Sequence, residues 1–96
     1  MNRDTILKQL KEYKNNHFEE YGILELGLFG SVAREEETSS SDVDICLKTK
    51  TPDMFALVHI KEDLQQLLSN KIDLVRIRDK MNPYLKKRIQ NEAIYV

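Results

Sequence analysis

Residues 29–45 read FGSVAREEETSSSDVDI, and this stretch determines how the rest of the chain is interpreted. It starts at the end of an apolar run, turns at Gly30 and Ser31, continues through polar residues, and closes with Asp42 and Asp44 at alternate positions. Alternating polar and apolar residues are typical of a strand with two different faces. The stretch therefore predicts two strands joined by a turn and a solvated loop.

The two strands flank this loop. The apolar run Ile23 to Phe29 is too short for a helix and predicts a buried strand, with Leu24, Leu26 and Leu28 on one face. The second strand, Asp42 to Leu47, alternates strictly. Its faces are expected to carry Asp42, Asp44 and Cys46 on one side and Val43, Ile45 and Leu47 on the other.

Helical patterns account for much of the remaining chain. Apolar residues at helical spacing after Asp4 and Thr5 predict an amphipathic first helix. A second helix is predicted to start with Pro52 at its first helical position and to end at Asn70 in a left-handed conformation. The buried residues expected on these helices are Ile6, Leu7, Leu10 and Tyr13, and then Leu57, Ile60, Leu64 and Leu67 or Leu68.

The C-terminal part adds one strand and one helix. Ile72 to Ile77 predicts the third strand, and Asn82 with Pro83 opens a last helix whose apolar side includes Ala93. The element order predicts an α+β fold in a single domain spanning residues 1–96. We expect a mixed sheet of about three strands, with helices packed on one face and the acidic residues on the other.

Composition limits the classes of function. The 15 basic and 16 acidic residues give a net charge of -1, which argues against autonomous nucleic-acid binding. No apolar run approaches membrane-spanning length and no signal peptide is recognisable, so we expect no membrane association and a cytoplasmic protein. The single cysteine, Cys46, cannot form an internal disulfide and fits a reducing compartment.

The residue types around the loop suit phosphate and metal chemistry. Gly30 lets a phosphate approach the backbone, and Ser31 adds a hydroxyl beside free amide groups. Asp42 and Asp44 lie about 6.6 Å apart on one strand face, and a neighbouring third strand would bring Asp73 within about 4.8 Å. Two carboxylates at roughly 5 Å repel by about 3 kcal/mol at an effective dielectric of 20, which a divalent cation relieves. Oxygen ligands favour Mg²⁺ or Mn²⁺ over zinc.

Three separated segments of the chain resemble the signature of one family. Gly30 to Arg34, Ser41 to Asp44, and Ile72 to Val75 are similar to the conserved segments of the minimal nucleotidyltransferases (MNT) of the DNA polymerase beta superfamily. The resemblance implies that Asp42, Asp44 and Asp73 are catalytic and bind two Mg²⁺ ions, with Mn²⁺ as the alternative. It also implies that Asp73 activates the attacking hydroxyl.

The same resemblance implies the ligand and the partner. Gly30, Ser31, Arg34 and Ser41 would bind a nucleoside triphosphate, with ATP as the expected nucleotide. Small members of the family are MntA-like antitoxins of HEPN/MNT modules, which attach AMP to a tyrosine of a HEPN toxin. The chain departs from the family at Glu35, where glycine usually stands.

Simpler roles are compatible with some of the same residues. Ser31 also suits the N-cap of a helix that starts at Val32, and Arg34 also suits a surface ion pair with the following glutamates. Asp42 and Asp44 alone would suit a solvated strand edge. A non-catalytic antitoxin that neutralises its partner by binding is the alternative function. The identity of the acceptor and any homo-oligomeric state are left open by the sequence.

Overall fold

The computed structural model describes residues 2–38 and 40–96, so Met1, and Ser39 within the predicted loop, lie outside the description. Four helices and four strands alternate along the described residues. In chain order they are α1 (Arg3–Tyr21), β1 (Ile23–Phe29), α2 (Gly30–Ala33), β2 (Val43–Thr49), α3 (Met54–Leu68), β3 (Ile72–Arg76), α4 (Pro83–Glu92) and β4 (Ile94–Tyr95).

The strands form one mixed sheet in the order β3-β2-β1-β4. β1 is antiparallel to both β2 and β4, whereas β2 and β3 are parallel and are connected through α3. The predicted α+β class and mixed sheet are confirmed, with one strand more than expected. Ala93, predicted on the last helix, is instead an extended residue that ends α4. A two-residue strand such as β4 is too short to produce a recognisable alternation.

α1 and α3 cover one face of the sheet and enclose the larger core. The residues fully or nearly fully buried there include Ile6, Leu10, Tyr13, Leu26, Leu28, Val43, Ile45, Leu47, Ile60, Leu64, Leu68 and Ile72. A smaller cluster of Phe29, Cys46, Met81 and Ile89 lies on the second face, where α4 packs. The second face therefore combines this cluster with the acidic positions of β2.

One expected core residue is exposed because β1 is irregular. Leu24 was predicted to share a face with Leu26 and Leu28, but 43% of its surface is accessible. Ile23 pairs with Thr49 and Glu25 pairs with Lys48, so two steps along β1 match one step along β2. This bulge interrupts the alternation that the sequence suggested.

The predicted start of α4 was correct, and the predicted boundaries of α1 and α3 were shifted by one to three residues. Asn2, not Asp4 or Thr5, caps α1 by accepting the Thr5 amide at 2.8 Å. Asp53 caps α3, so Pro52 lies before the helix, and Ser69 adopts the left-handed conformation expected of Asn70. No helix among the described residues is long and apolar enough to cross a membrane.

Candidate active site

The site is built around the start of β2, in the middle of the sheet. Asp44 pairs across the sheet with Phe29 of β1 on one side and with Asp73 of β3 on the other. Adjacent strands are about 4.8 Å apart, so the backbones of Asp44 and Asp73 are direct neighbours. Asp42 precedes β2 by one residue. The three predicted aspartates are thus brought to one end of the sheet by the parallel register of β2 and β3.

The protonation of Asp44 reflects these surroundings. Partial burial raises the pKa of the Asp44 carboxyl, and the negative charges of Asp73 and Asp42 raise it further, against the opposing influence of Arg88 and Arg34. Asp73 itself is exposed. Burial and the neighbouring carboxylates thus both disfavour the charged form of Asp44.

Gly30 is required by the position of the Asp44 side chain. Gly30 has a φ of +78°, and a Cβ atom built on it would overlap the Asp44 Oδ2 atom and lie 2.9 Å from its Cγ. The absence of a side chain thus gives the Asp44 carboxylate room directly beside the turn. The glycine turn and the Asp44 carboxylate, both predicted from the sequence as parts of the site, are therefore adjacent.

The turn after β1 does not give Ser31 the N-cap role that the sequence also suggested. α2 starts at Gly30 with Phe29 in the capping position, so Ser31 lies inside the first turn and is not an N-cap for a helix starting at Val32. α2 is followed by Arg34 and then by Glu35, which has a left-handed backbone conformation with a φ of +59°. Glu35 replaces the usual glycine in a glycine-like conformation.

The Glu35 side chain forms an ion pair with α1. One of its carboxylate oxygens lies 3.5 Å from a guanidinium nitrogen of Arg3 at the start of α1. Arg34 does form the predicted surface pair with a following glutamate, since its Nε donates to Glu36 at 3.2 Å. The departure from the family at residue 35 thus leaves the carboxylate of Glu35 engaged with α1.

Ser41 is held by the loop that leads into β2. The Ser41 hydroxyl accepts the backbone amide of Thr38 at 2.9 Å, and the Ser41 amide donates to the Thr38 carbonyl at 3.1 Å. These bonds fix the chain just before Asp42. Ser41 also lines a cavity of about 290 Å³ together with Val32 and Val43. Its position supports the loop, and direct nucleotide binding by Ser41 stays a prediction.

Two charged residues of α4 at the site were not anticipated from the sequence. Glu92 accepts the Gly30 amide at 3.2 Å and pairs with Arg34 at 2.5 Å. Arg88 lies 3.5 Å from Glu92 and has its guanidinium carbon 5.9 Å from the centre of the Phe29 ring. Their spacing of four residues on a charged helix was the available signal, but it does not indicate which distant turn they reach.

The donor set fits a hard divalent cation. Asp42, Asp44 and Asp73 offer only oxygen ligands, which suit Mg²⁺ or Mn²⁺, and the raised pKa of Asp44 marks a place where added positive charge would be favourable. In their present rotamers, no three His, Cys, Asp or Glu side chains among residues 2–38 and 40–96 close around a common point. The backbones of Asp44 and Asp73 are nevertheless paired in register.

The chain matches the polymerase beta nucleotidyltransferase model over residues 8–96. A Methanocaldococcus jannaschii protein named "Putative protein adenylyltransferase MJ0128" is 39% identical over 88 residues, which cover 91% of this chain and 90% of that protein. Protein adenylyltransferase MntA of Thermococcus cleftensis is 32% identical over 88 residues, covering 91% and 88% of the two chains.

Solved structures have the same fold. A structure described as a putative minimal nucleotidyltransferase superposes with a TM-score of 0.78 at 27% identity, covering 98% of this chain and 95% of that one. A complex of a tri-AMPylated Shewanella oneidensis HEPN toxin with an MNT antitoxin contains a chain that superposes with a TM-score of 0.61 at 22% identity, covering 98% and 67%. The second likeness concerns the fold alone.

Proposed function

Because the chain belongs to the polymerase beta nucleotidyltransferase family, we propose that it transfers AMP from ATP to a hydroxyl group of a partner protein. The observation that carries the proposal is the in-register pairing of Asp44 and Asp73 next to a glycine that the Asp44 carboxylate requires. Carboxylates that can hold divalent cations, beside a glycine turn that can receive phosphates, are what transfer of an adenylyl group requires.

Each residue has a definite role in this reaction. The hydroxyl oxygen of the acceptor attacks the α-phosphorus, the bond to the bridging oxygen breaks, and pyrophosphate leaves. Asp73, the exposed carboxylate, takes the proton of the attacking hydroxyl. Gly30 and Ser31 receive the phosphates at the turn. Asp42, Asp44 and Asp73 would hold Mg²⁺, which when bound neutralises charge on the reacting oxygens.

The acceptor is a tyrosine of a HEPN-type toxin, so the chain acts as an antitoxin. Two observations support this acceptor. The relatives at 39% and 32% identity are named protein adenylyltransferases, and the complex from Shewanella oneidensis that contains a chain of this fold pairs an AMPylated HEPN toxin with an MNT antitoxin. The buried, single cysteine fits a cytoplasmic protein.

The test compares wild type with Asp44→Asn and, as a matched control, Asp4→Asn in the exposed first turn of α1. Each protein is incubated with labelled ATP, Mg²⁺ and the product of the neighbouring gene. We expect label on the partner with wild type and with the control, and none with Asp44→Asn, because the site loses one of its anionic ligands.

The Asp44→Asn variant should remain folded and bind its partner. Because burial and the neighbouring carboxylates raise the pKa of Asp44, its charged form destabilises the fold as the pH rises through that raised pKa. Without metal, stability at neutral pH should therefore equal or exceed that of wild type. If wild type transfers no label while both proteins neutralise the partner equally, the chain acts by binding instead of catalysis.

A further inference from the structure

The Gly30 turn is already engaged by an anion from the chain itself. The carboxylate of Glu92, at the C-terminal end of α4, accepts the Gly30 amide at 3.2 Å and pairs with the guanidinium of Arg34. Its second oxygen lies 3.5 Å from Arg88. A backbone amide and two guanidinium groups thus converge on one carboxylate.

These are the same donors that a phosphate group prefers. Phosphate oxygens in proteins are bound by backbone amides at glycine turns and by arginine side chains. The proposed function needs Gly30 and Arg34 for the phosphates of the nucleotide, and Glu92 holds both. A carboxylate and a phosphate cannot share one amide hydrogen and one guanidinium edge at full strength.

Glu92 is well placed and remains charged. The side chain of Glu92 is 20% exposed, and α2 and α4 are in contact. Burial would raise the pKa of Glu92, but the hydrogen bond and charge of Arg34, with the charge of Arg88, hold this pKa below its usual value. The carboxylate is therefore ionised at neutral pH and adds one more negative charge where phosphates would enter.

We propose that Glu92 is a positioning residue that holds the Gly30 amide and the Arg34 guanidinium in the nucleotide-free protein and yields both to the phosphates of a bound triphosphate. This inference rests on the proposed function. Binding then requires the exchange of one anion for another, so the apparent affinity is lower than the turn alone would provide.

The experiment measures binding by calorimetry in the presence of Mg²⁺, using ATP, AMP and inorganic triphosphate as probes. The proteins are wild type, Glu92→Ala and, as a control, Glu62→Ala, which removes an exposed carboxylate from α3. Removal of the competing anion should tighten binding of ATP and of inorganic triphosphate about five- to tenfold in Glu92→Ala. Affinity for AMP should change little, and the control should match wild type.

A purely structural role for Glu92 predicts a different pattern. Loss of the Gly30 and Arg34 contacts would then loosen the turn, and Glu92→Ala would bind each of the three ligands as tightly as wild type does or more weakly. That result, with a thermal melt showing a folded variant, overturns the inference while the proposed function stands. If Glu92→Ala does not fold, Glu92→Gln keeps the size of the side chain and removes its charge, and the same comparison decides. Failure of wild type to bind ATP overturns both proposals.

Discussion

Replacement of Glu35 by glycine should stabilise the protein. Glu35 has a φ of +59°, in the left-handed region that favours glycine. Its amide donates to the Val32 carbonyl at 3.1 Å, and the amide of Glu36 donates to the Ser31 carbonyl at 2.8 Å. These two bonds are those of a Schellman motif, in which glycine is the preferred residue at the position of Glu35.

Three contributions set the size of the effect. A left-handed conformation costs an ordinary L-residue about 1–2 kcal/mol, which glycine avoids. Glycine also lowers the free energy of unfolding by about 0.4–1 kcal/mol, because it increases the conformational freedom of the unfolded chain. The pair with Arg3 spans 3.5 Å with Glu35 63% exposed, so its loss costs well under about 1 kcal/mol. The net gain is about 0.5 kcal/mol, which corresponds to an increase in Tm of about 2–4 °C.

The assay is thermal and urea unfolding of wild type, Glu35→Gly and a control, Glu37→Gly. Glu37 is an exposed residue of the same loop and is not among the residues with positive φ, so glycine there only adds freedom to the unfolded chain. The two glycine variants should move in opposite directions. Equal destabilisation by both would refute the reasoning, since it would mean that the backbone of Glu35 is unstrained.

Two other perturbations test the site and the core. Gly30→Ala should remove the increase in Tm that Mg²⁺ and ATP give to wild type, because its Cβ displaces the Asp44 carboxylate; Gly22→Ala, with a similar φ of +64° but a nearest contact of 3.6 Å, should keep it. If both variants lost the increase in Tm with Mg²⁺ and ATP, the loss would be explained by backbone strain at positive φ and not by the displacement of Asp44. Burial raises the pKa of the Cys46 thiol to about 11, so native protein should resist alkylation by iodoacetamide at neutral pH and react only after unfolding. Rapid labelling of the folded protein would contradict this placement.

The sequence predicted that Asp44 and Asp73 lie beside each other on neighbouring strands, because this placement depends on short-range regularities. Alternation fixed the face of Asp44 relative to Ile45, and a buried strand starting at Ile72 placed Asp73 at the same end as its neighbour. The glycine requirement at residue 30 could also be anticipated, because few other residues allow a close approach to the backbone.

The features that were missed depend on tertiary structure. Glu92 contacts Gly30 from a distance of 62 residues along the chain, and no local pattern encodes such a contact. Leu24 is exposed because a bulge changes the pairing of β1, and bulges leave no regular signature in an apolar run. β4 was hidden because it contributes only two residues.

The parallel pairing of β2 with β3 limits where the chain between these two strands can gain or lose residues. Asp44 and Asp73 are partners because α3 and its flanking turns return the chain to the sheet in the register that pairs these two residues. A one-residue slip of β3 would turn Asp73 towards the buried face and bring Ile72 or Leu74 out beside Asp44. Insertions and deletions between residues 50 and 71 are therefore tolerable only where a turn absorbs them. Those within β3 would remove a carboxylate from the site without altering any of its residues.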